Sequence, residues 1–210
     1  MGAALAMDMR LHGDRPRYST AMDDPERILM ERIRAGDQDA MVDLVRRFQD
    51  ELVGFFFHLC WSQVVAEELA QDVFVNAWRA RERWEPTAKV RTWLYRIAHN
   101  RWIDHCRRNR HHLSLDAETG EQGLRLSEVL PAAAISVEDG EENQRIRSRV
   151  QIAVEALPEG QRAVFVLANQ QGLKYSEISE ILHIPEGTVK SRMHSAVRQL
   201  RDELADLVES

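Results

Sequence analysis

The sequence predicts an all-α protein made of two small helical domains, the second of which contains a helix-turn-helix. Along two long stretches of the 210-residue chain, apolar residues recur at steps of three and four, which is the spacing of amphipathic helices. No stretch alternates apolar and polar residues with a period of two, so we expect no sheet. Residues 113–142 lack the helical spacing, and this predicts a flexible acidic linker between the two domains.

The overall composition is typical of a globular protein, with 44% hydrophobic and 30% charged residues. No run of about 18 or more apolar residues occurs, so we expect no membrane insertion. Residues 1–22 lack the apolar segment of a signal peptide, and the chain holds only two cysteines, Cys60 and Cys106. We therefore expect a cytoplasmic protein in which both thiols are reduced.

The first predicted domain spans residues 23–112 and follows a tail, residues 1–22, that we expect to be disordered. Three amphipathic stripes predict three antiparallel helices that form a compact bundle, with a loop at 83–89 before the third helix. The stripes are Met41, Leu44, Val45, Phe48, Leu52, Phe55, Phe56 and Leu59; Val64, Val65, Leu69, Val73, Phe74, Ala77 and Trp78; and Val90, Leu94, Ile97, Ala98, Ile103 and Cys106.

Basic and acidic residues are segregated on either side of the start of the linker, within a formal net charge of −6. Residues 91–112 hold six Arg and four His against one acid, whereas residues 113–142 hold eight acids against one Arg. A basic block of this kind is typical of nucleic-acid binding, while the acidic block discourages binding to DNA by the free chain.

The second predicted domain, residues 143–210, contains four helices. The first ends at Pro158 and the second near Gly172, because proline and glycine interrupt a helix. Their apolar positions are Ile146, Val150, Ala153, Val154 and Leu157; Ala163, Val164, Val166, Leu167 and Ala168; Ile178, Ile181 and Leu182; and Val189, Met193, Val197, Leu200 and Leu204.

The most specific motif is the segment 175–192, YSEISEILHIPEGTVKSR, which predicts a helix-turn-helix with its turn at His183–Pro185. Pro185 suits the start of the second helix because the N–H that it lacks would have no partner there. Ile181 and Val189 are expected to fix the angle between the two helices. The second helix then presents a basic face that can reach base edges and phosphates in the major groove. The alternative is a plain helical hairpin with a solvated basic face.

The second motif is the basic and aromatic segment 91–108. Arginines beside the aromatic platforms Tyr95 and Trp102 are what single-stranded DNA binding requires, and the neighbouring Trp84–Lys89 loop could form the wall of a pocket for a flipped base. The alternative places Trp93 and Trp102 in the core and the arginines on a solvated surface. A third motif, the segment 66–78, has an acidic face opposite its apolar face, and by pattern alone it is a surface helix.

These three motifs, in their order along the chain, resemble those of an extracytoplasmic-function (ECF) sigma factor. ECF factors are a minimal class of bacterial transcription initiation factor with only the second and fourth sigma regions. The resemblance covers about residues 25–205. It implies that residues 23–112 form a sigma region 2 domain and residues 143–210 a sigma region 4 domain. The implied function is that of an alternative sigma factor, which binds core RNA polymerase, recognises −35 and −10 promoter elements and promotes DNA melting.

The resemblance also implies roles for individual residues. The implied polymerase-binding residues are Glu67, Glu68, Gln71, Asp72, Phe74, Asn76 and Trp78. Those implied for −10 recognition and melting are Trp84, Lys89, Arg91, Tyr95, Arg96, Asn100, Arg101, Arg107 and Arg108. Those implied for −35 recognition are Thr188, Lys190, Ser191, Arg192, His194, Ser195 and Arg198.

The implied partners are core RNA polymerase, through the β′ clamp helices and the β subunit, promoter DNA in duplex and single-stranded form, and an anti-sigma factor. We expect no cofactor, no bound metal and no catalysis, since the sequence lacks a Gly-rich phosphate loop, a His-Glu-x-x-His motif and a nucleophile elbow. One alternative is a stand-alone helix-turn-helix regulator. Another is a metal or thiol sensor built on His58, Cys60, His105 and Cys106, although their spacing is not that of a zinc site.

Overall fold

The computed structural model describes residues 24–86, 89–116 and 141–208, with only the backbone at 110–116, 141–143, 206 and 208. Within these ranges the chain is helical and contains no strand, so the prediction of an all-α fold is confirmed. The expected N-terminal tail and most of the expected linker, residues 117–140, lie outside the described residues. No helix in the described ranges is long and apolar enough to cross a membrane.

Four helices and one short turn form the first part of the chain. They are α1 (Pro25–Arg34), α2 (Gln38–Cys60), α3 (Gln63–Ala80), a 3₁₀ turn (Arg81–Arg83) and α4 (Val90–Asp116). Helices α2, α3 and α4 are the three long helices that the amphipathic stripes predict. The remaining helix, α1, packs on α2. Arg47 of α2 donates two hydrogen bonds, of 2.8 and 3.1 Å, to the carboxylate of Glu26 in α1.

Local capping explains where these helices begin. The side chain of Asp37 accepts a hydrogen bond from the backbone N–H of Ala40 at 3.1 Å, and this bond, together with one from Arg32, lowers the pKa of Asp37. Asp24 precedes Pro25 and accepts from the N–H of Glu26 at 3.0 Å, so α1 begins with an N-cap followed by proline. At its other end α4 continues to Asp116, four residues into the expected linker, because no glycine or proline occurs before Gly120.

The second part of the chain has the predicted order of helices. They are α5 (Glu141–Glu155), α6 (Glu159–Phe165) with a π-helical extension (Val166–Gln170), α7 (Tyr175–Leu182), α8 (Glu186–Glu203) and the short α9 (Ala205–Val208). Helices α7 and α8 form the helix-turn-helix, and His183 ends α7 in a left-handed conformation with φ of 53°. Ile181 and Val189 are both buried between the helices, as expected.

The two parts of the chain pack against each other and share a core. One continuous apolar cluster contains the core of the α1–α4 bundle, with Phe48, Phe55 and Phe56, and also Leu173 and Ile178 from the second part. A smaller cluster centred on Leu157 and Leu200 joins α5 to α8, and Trp61 at the end of α2 packs against it. The structure therefore places the two predicted domains in direct contact.

Candidate polymerase and nucleic-acid interfaces

The acidic face of α3 is exposed. Its apolar positions, such as Leu69 and Val73, point into the bundle, and so the helix presents the opposite side to solvent. The carboxylates and amides predicted for polymerase binding lie on that outer side: Glu67, Glu68, Gln71 and Asp72 are exposed and Asn76 is half-buried. The remaining predicted residues, Phe74 and Trp78, lie at the edge of this face, where Phe74 is 7% exposed and Trp78 is half-buried.

A groove of about 510 Å³ separates this face from the end of α4. It brings residues of the acidic face together with residues of the basic helix, and its lining is Glu68, Leu69, Gln71, Asp72, Val75, His105, Arg108 and Asn109. Val75, His105 and Asn109 were not among the residues predicted to form an interface. The signal in the sequence is Val75 itself, because an apolar residue on the polar face of an amphipathic helix is typical of a contact surface. In the structure its side chain is 46% exposed.

The basic side chains of α4 are divided between solvent and the rest of the protein. Asn100, Arg107 and Arg108 are exposed, whereas Arg96 and Arg101 are half-buried. Arg101 makes an ion pair with Asp104 at 2.7 Å, and Arg107 approaches the same carboxylate at 3.4 Å. Asp104 thus neutralises part of the positive charge of α4, and it does so by pairing with Arg101 and Arg107, both of which were predicted to contact DNA.

The aromatic residues considered for DNA contact are in the core. Trp84 is 1% exposed, Tyr95 is fully buried and Trp102 is 5% exposed, with its ring stacked on His105. The ring of Tyr95 packs edge-on against Phe55 at a centroid distance of 5.3 Å. Trp102 therefore lies in the core, as the alternative interpretation of this motif predicted. Trp84 and Tyr95, which were predicted to contact the −10 element, are also buried in the core.

Helix α8 presents the predicted −35 contacts on one side of the helix-turn-helix. Lys190, Ser191, His194 and Arg198 are exposed, while Thr188 and Ser195 are half-buried next to them. Lys190 forms an exposed ion pair with Glu186 one turn earlier, at 2.9 Å. Such an exposed pair is worth little in water and is readily exchanged for a phosphate contact.

Arg192 differs from these residues because it points toward the protein. A Cβ atom at Gly160 would lie 2.9 Å from Nη1 of Arg192, so the guanidinium lies directly on α6. The charge of Arg192 also acts on His99 of α4: burial first, and then the charges of Arg192 and His183, lower the pKa of His99 to about 4. His99 is therefore neutral at neutral pH, in a corner where α4 meets the helix-turn-helix.

Three of the predicted −10 residues bind the second part of the chain. Lys89 forms an ion pair with Glu177 of α7 at 2.7 Å. Arg91 donates to the backbone oxygen of Gln171 at 2.9 Å, and the hydroxyl of Tyr95 donates to the side-chain oxygen of the same glutamine at 2.6 Å. Arg91 also pairs with Glu51 of α2 at 2.9 Å.

The ionisation of these groups follows from the contacts. Burial alone would lower the pKa of Arg91, but Tyr95 and Glu51 raise it. Burial alone would raise the pKa of Glu177, but hydrogen bonds from Lys89 and from the backbone of Lys174 lower it below its usual range. Arg91 and Glu177 are thus both charged at neutral pH.

No group of three or more potential metal ligands occurs in the described part of the chain. The thiol of Cys60 donates to the backbone oxygen of Ser62 at 3.4 Å, and burial raises its pKa, which keeps it in the unreactive protonated form. Nothing in the described structure brings His58, Cys60, His105 and Cys106 together as a sensor site.

Two family models match the chain in the order that the motifs predict. The model for sigma-70 region 2 matches residues 44–112, and the model for sigma-70 region 4 matches residues 147–200. The first match covers α3 and most of α2 and α4, and the second covers the helix-turn-helix. Both surfaces described above therefore lie within matched regions.

The chain is also similar to proteins of known role and structure. It is 35% identical over 179 residues to the ECF RNA polymerase sigma factor SigW of Bacillus subtilis, covering 85% of this chain and 96% of that protein. Its fold is similar to that of CnrH, solved in complex with the cytosolic domain of CnrY, with a TM-score of 0.65, 24% identity, and coverage of 87% of this chain and 99% of CnrH. The sigma factor RpoE of Bartonella quintana, solved in complex with the anti-sigma factor NepR, has a TM-score of 0.59, 22% identity, and coverage of 78% and 97%.

Proposed function

The chain belongs to the sigma-70 family and to its ECF class, and on this premise we propose which of its surfaces contact the polymerase and which contact promoter DNA. As a sigma factor it is a regulatory protein of transcription initiation rather than an enzyme, and it acts with core RNA polymerase at promoters. We propose residues 23–112 as the region 2 domain and residues 143–210 as the region 4 domain, joined by the acidic segment 113–142. Since RNA polymerase is its partner, its place of action is the cytoplasm.

The observation that carries this assignment is the exposed basic face of α8 in a helix-turn-helix. Lys190, His194 and Arg198 lie on one side of the helix and are exposed to solvent. A recognition helix of this kind enters the major groove, where such side chains reach bases and phosphates. We assign −35 recognition to this face, together with Thr188, Ser191, Arg192 and Ser195.

The acidic face of α3 is the proposed polymerase-binding surface. Glu68, Gln71 and Asp72 line the groove that separates α3 from α4, and exposed Val75 adds an apolar contact. Acidic side chains around an apolar centre are suited to a partner that presents basic and apolar side chains, and we propose the β′ clamp helices as that partner. The α3–α4 groove is part of this surface.

The −10 surface is proposed to be the N-terminal half of α4 and the segment before it. Exposed Asn100 and the partly exposed Arg96 and Arg101 can follow the phosphate backbone, and Tyr95 and Trp84 can provide the platforms on which an unstacked base rests. Because both aromatic residues are buried in this structure, capture of a base requires their neighbours to move.

The two domains together give promoter specificity on the polymerase. Each one alone offers few phosphate contacts, and the net charge of the chain is −6, so the free protein is expected to bind DNA weakly. When both are held on one polymerase, binding of one element raises the effective concentration of the other contact. An anti-sigma factor is a further proposed partner, since the fold is shared with a sigma factor solved in such a complex.

The function is tested by run-off transcription with bacterial core polymerase on sheared genomic DNA, with transcript starts mapped with and without the protein. The expected result is a set of new starts that share two upstream elements at a fixed spacing. If no new starts appear and the protein alone shifts specific duplex DNA, the chain acts instead as a stand-alone helix-turn-helix regulator.

A further inference from the structure

Trp78 is the largest side chain on the surface proposed to bind the polymerase, and it lies in the last turn of α3. The residue is half-buried and lines a groove of about 290 Å³ between α2 and α3, together with Met41, Phe74, Val75 and Arg79. Val75 also lines the α3–α4 groove, so this second groove adjoins the acidic face of α3. The orientation of the Trp78 ring therefore determines part of the shape of the proposed polymerase surface.

Arg81 follows the end of α3, and its side chain folds back over the last turn of the helix. The backbone N–H of Arg81 donates to the backbone oxygen of Trp78, and Nη1 of the same arginine donates to that oxygen at 2.8 Å. A basic side chain at this end of a helix satisfies a carbonyl without a helical partner and interacts favourably with the helix dipole. The two bonds fix the start of the Arg81 side chain and its tip relative to the backbone of Trp78.

The guanidinium of Arg81 also lies over the indole ring of Trp78. Its Cζ atom is 4.3 Å from the ring centroid, whereas the guanidinium of Arg91 is 5.5 Å from the ring centroid of Tyr95. A distance of 4.3 Å is well inside the limit of about 6 Å for a cation–π contact, and tryptophan is the ring that attracts a cation most strongly. One arginine thus holds both the carbonyl and the ring of the same tryptophan.

The remaining contacts of Arg81 in the described structure are weak. Its ion pair with Glu82 is long, at 3.6 Å, and the Glu82 side chain is 78% exposed, so this pair contributes little in water. The Nε atom of Arg81 is buried and has no acceptor among the described residues. Burial of an unpaired donor is unfavourable, and this indicates that the contact with Trp78 is what keeps the guanidinium in place.

We propose that Arg81 is a positioning residue for polymerase binding, which holds the ring of Trp78 in the orientation in which it meets core polymerase. The proposal rests on the assignment of Trp78 to the polymerase surface made above, and Arg81 was not among the residues predicted for any surface. A large aromatic side chain contributes most to an interface when its orientation is fixed before binding, because its rotational entropy is then not lost on association.

A double-mutant cycle tests the proposal, with the affinity of the full chain for core polymerase measured for Arg81→Gln and Trp78→Ala, singly and together. Glutamine keeps an N–H donor for the carbonyl of Trp78 but has no charge to place over the ring. In the parent background, Arg81→Gln is expected to weaken the affinity roughly fivefold, the order expected for one lost cation–π contact. In the Trp78→Ala background the same substitution should change the affinity by less than about twofold.

Two further variants separate the contact from general effects at this end of α3. Arg83→Gln makes the same chemical change at an exposed arginine two residues further along, and it should leave the affinity for the polymerase unchanged. Arg81→Ala removes the whole side chain, and it is expected to weaken the affinity at least as much as Arg81→Gln.

The second measurement reports on the ring itself, by fluorine NMR of the full chain with 5-fluorotryptophan at all five tryptophans. The Trp78 signal is the one that Trp78→Phe removes. Arg81→Gln is expected to shift and broaden this signal, because the ring then exchanges between orientations. The signals of Trp61, Trp93 and Trp102 should stay in place, which shows that the fold is retained, and Arg83→Gln should leave the Trp78 signal unchanged.

Three results would overturn the proposal. An unchanged Trp78 signal in Arg81→Gln means that Arg81 does not hold the ring. An equal loss of affinity in the parent and Trp78→Ala backgrounds means that Arg81 contacts the polymerase directly. An unchanged affinity in either single variant means that the pair does not contribute to polymerase binding. Failure of the proposed function is separate, since it appears as the absence of new transcript starts.

Discussion

The two surfaces proposed to contact promoter DNA differ in how far the rest of the chain covers them. On α8, Lys190, His194 and Arg198 are exposed, whereas on α4 Tyr95 is fully buried and Arg91 is bound to Gln171 and Glu51. A helix that reads duplex DNA needs only polar side chains on one face, and these are stable in water. A surface that captures an unstacked base also needs aromatic groups, which are costly to expose. Of the two surfaces, the one that must hold an unstacked base is therefore the one whose aromatic groups are expected to be buried in the free chain.

The largest effect is expected from the core beneath the covered surface. Phe55 is fully buried and supports the ring of Tyr95, so Phe55→Ala is expected to lower the free energy of unfolding by about 3–5 kcal/mol. Urea unfolding of the full chain measures this loss. The exposed-site control Val64→Ala, at a residue 67% exposed, should remain within about 0.5 kcal/mol. Equal effects of the two substitutions would show that Tyr95 does not rest on a packed core.

The second effect is a dependence of stability on pH, because His99 of α4 lies close to the charges of Arg192 and His183. The folded protein holds the pKa of His99 near 4, below the ordinary value of 6.5. The unfolded chain therefore takes up a proton before the folded one, and stability falls as the pH drops from about 6.5 to about 4, by at most about 1.4 kcal/mol per pH unit.

The check is a set of urea unfolding curves between pH 7 and pH 4 for the parent chain and for His99→Leu. The leucine variant removes this titration, so its stability should depend less on pH over that interval. Parallel curves for the two proteins would mean that His99 does not face Arg192 and His183 as a buried neutral group.

The exposed surface gives a smaller and more specific effect. Lys190→Ala or Arg198→Ala is expected to weaken promoter binding by the holoenzyme and to reduce its salt slope by about one for each lost phosphate contact. Filter binding at several salt concentrations measures the slope. Arg201→Ala is a matched control, since Arg201 is exposed on the same helix but outside the proposed contact set. An unchanged slope for both test variants would remove these residues from the DNA interface.

The smallest effect is expected at Gly160, which contacts Arg192. Gly160→Ala places a methyl group 2.9 Å from the tip of that flexible side chain, which can move aside, and alanine favours the helix by up to about 1 kcal/mol. The two changes oppose each other, so the free energy of unfolding should change by less than about 1 kcal/mol. Because Arg192 is released from α6, promoter binding by the holoenzyme should be retained or improved. A clear loss of binding would mean that Arg192 contacts DNA from its present position.

The helices and the helix-turn-helix were predictable because each depends on local spacing. The stripe from Met41 to Leu59 predicts α2, and Pro185 with the apolar positions Ile181 and Val189 predicts the turn between α7 and α8 and the packing of the two helices. The four extra residues of α4 were not predicted, because acidic composition alone does not end a helix.

The burial of the surface proposed for −10 binding could not be predicted from the sequence. A tyrosine beside arginines has the same pattern whether its hydroxyl meets DNA or, as here, Gln171 in another domain. Lys89 and Glu177 are 88 residues apart, and no local spacing relates them. The same holds for Trp84, whose flanking charged residues suggest a surface loop while its ring lies in the core.

The most direct test of the sigma factor assignment is the affinity for a mapped promoter fragment, measured for the full chain alone and for the same chain on core polymerase at one salt concentration. We predict specific binding only with the polymerase, with an affinity at least about 100-fold higher than that of the free chain. Equally tight and specific binding by the chain alone would contradict the account and would identify a stand-alone regulator.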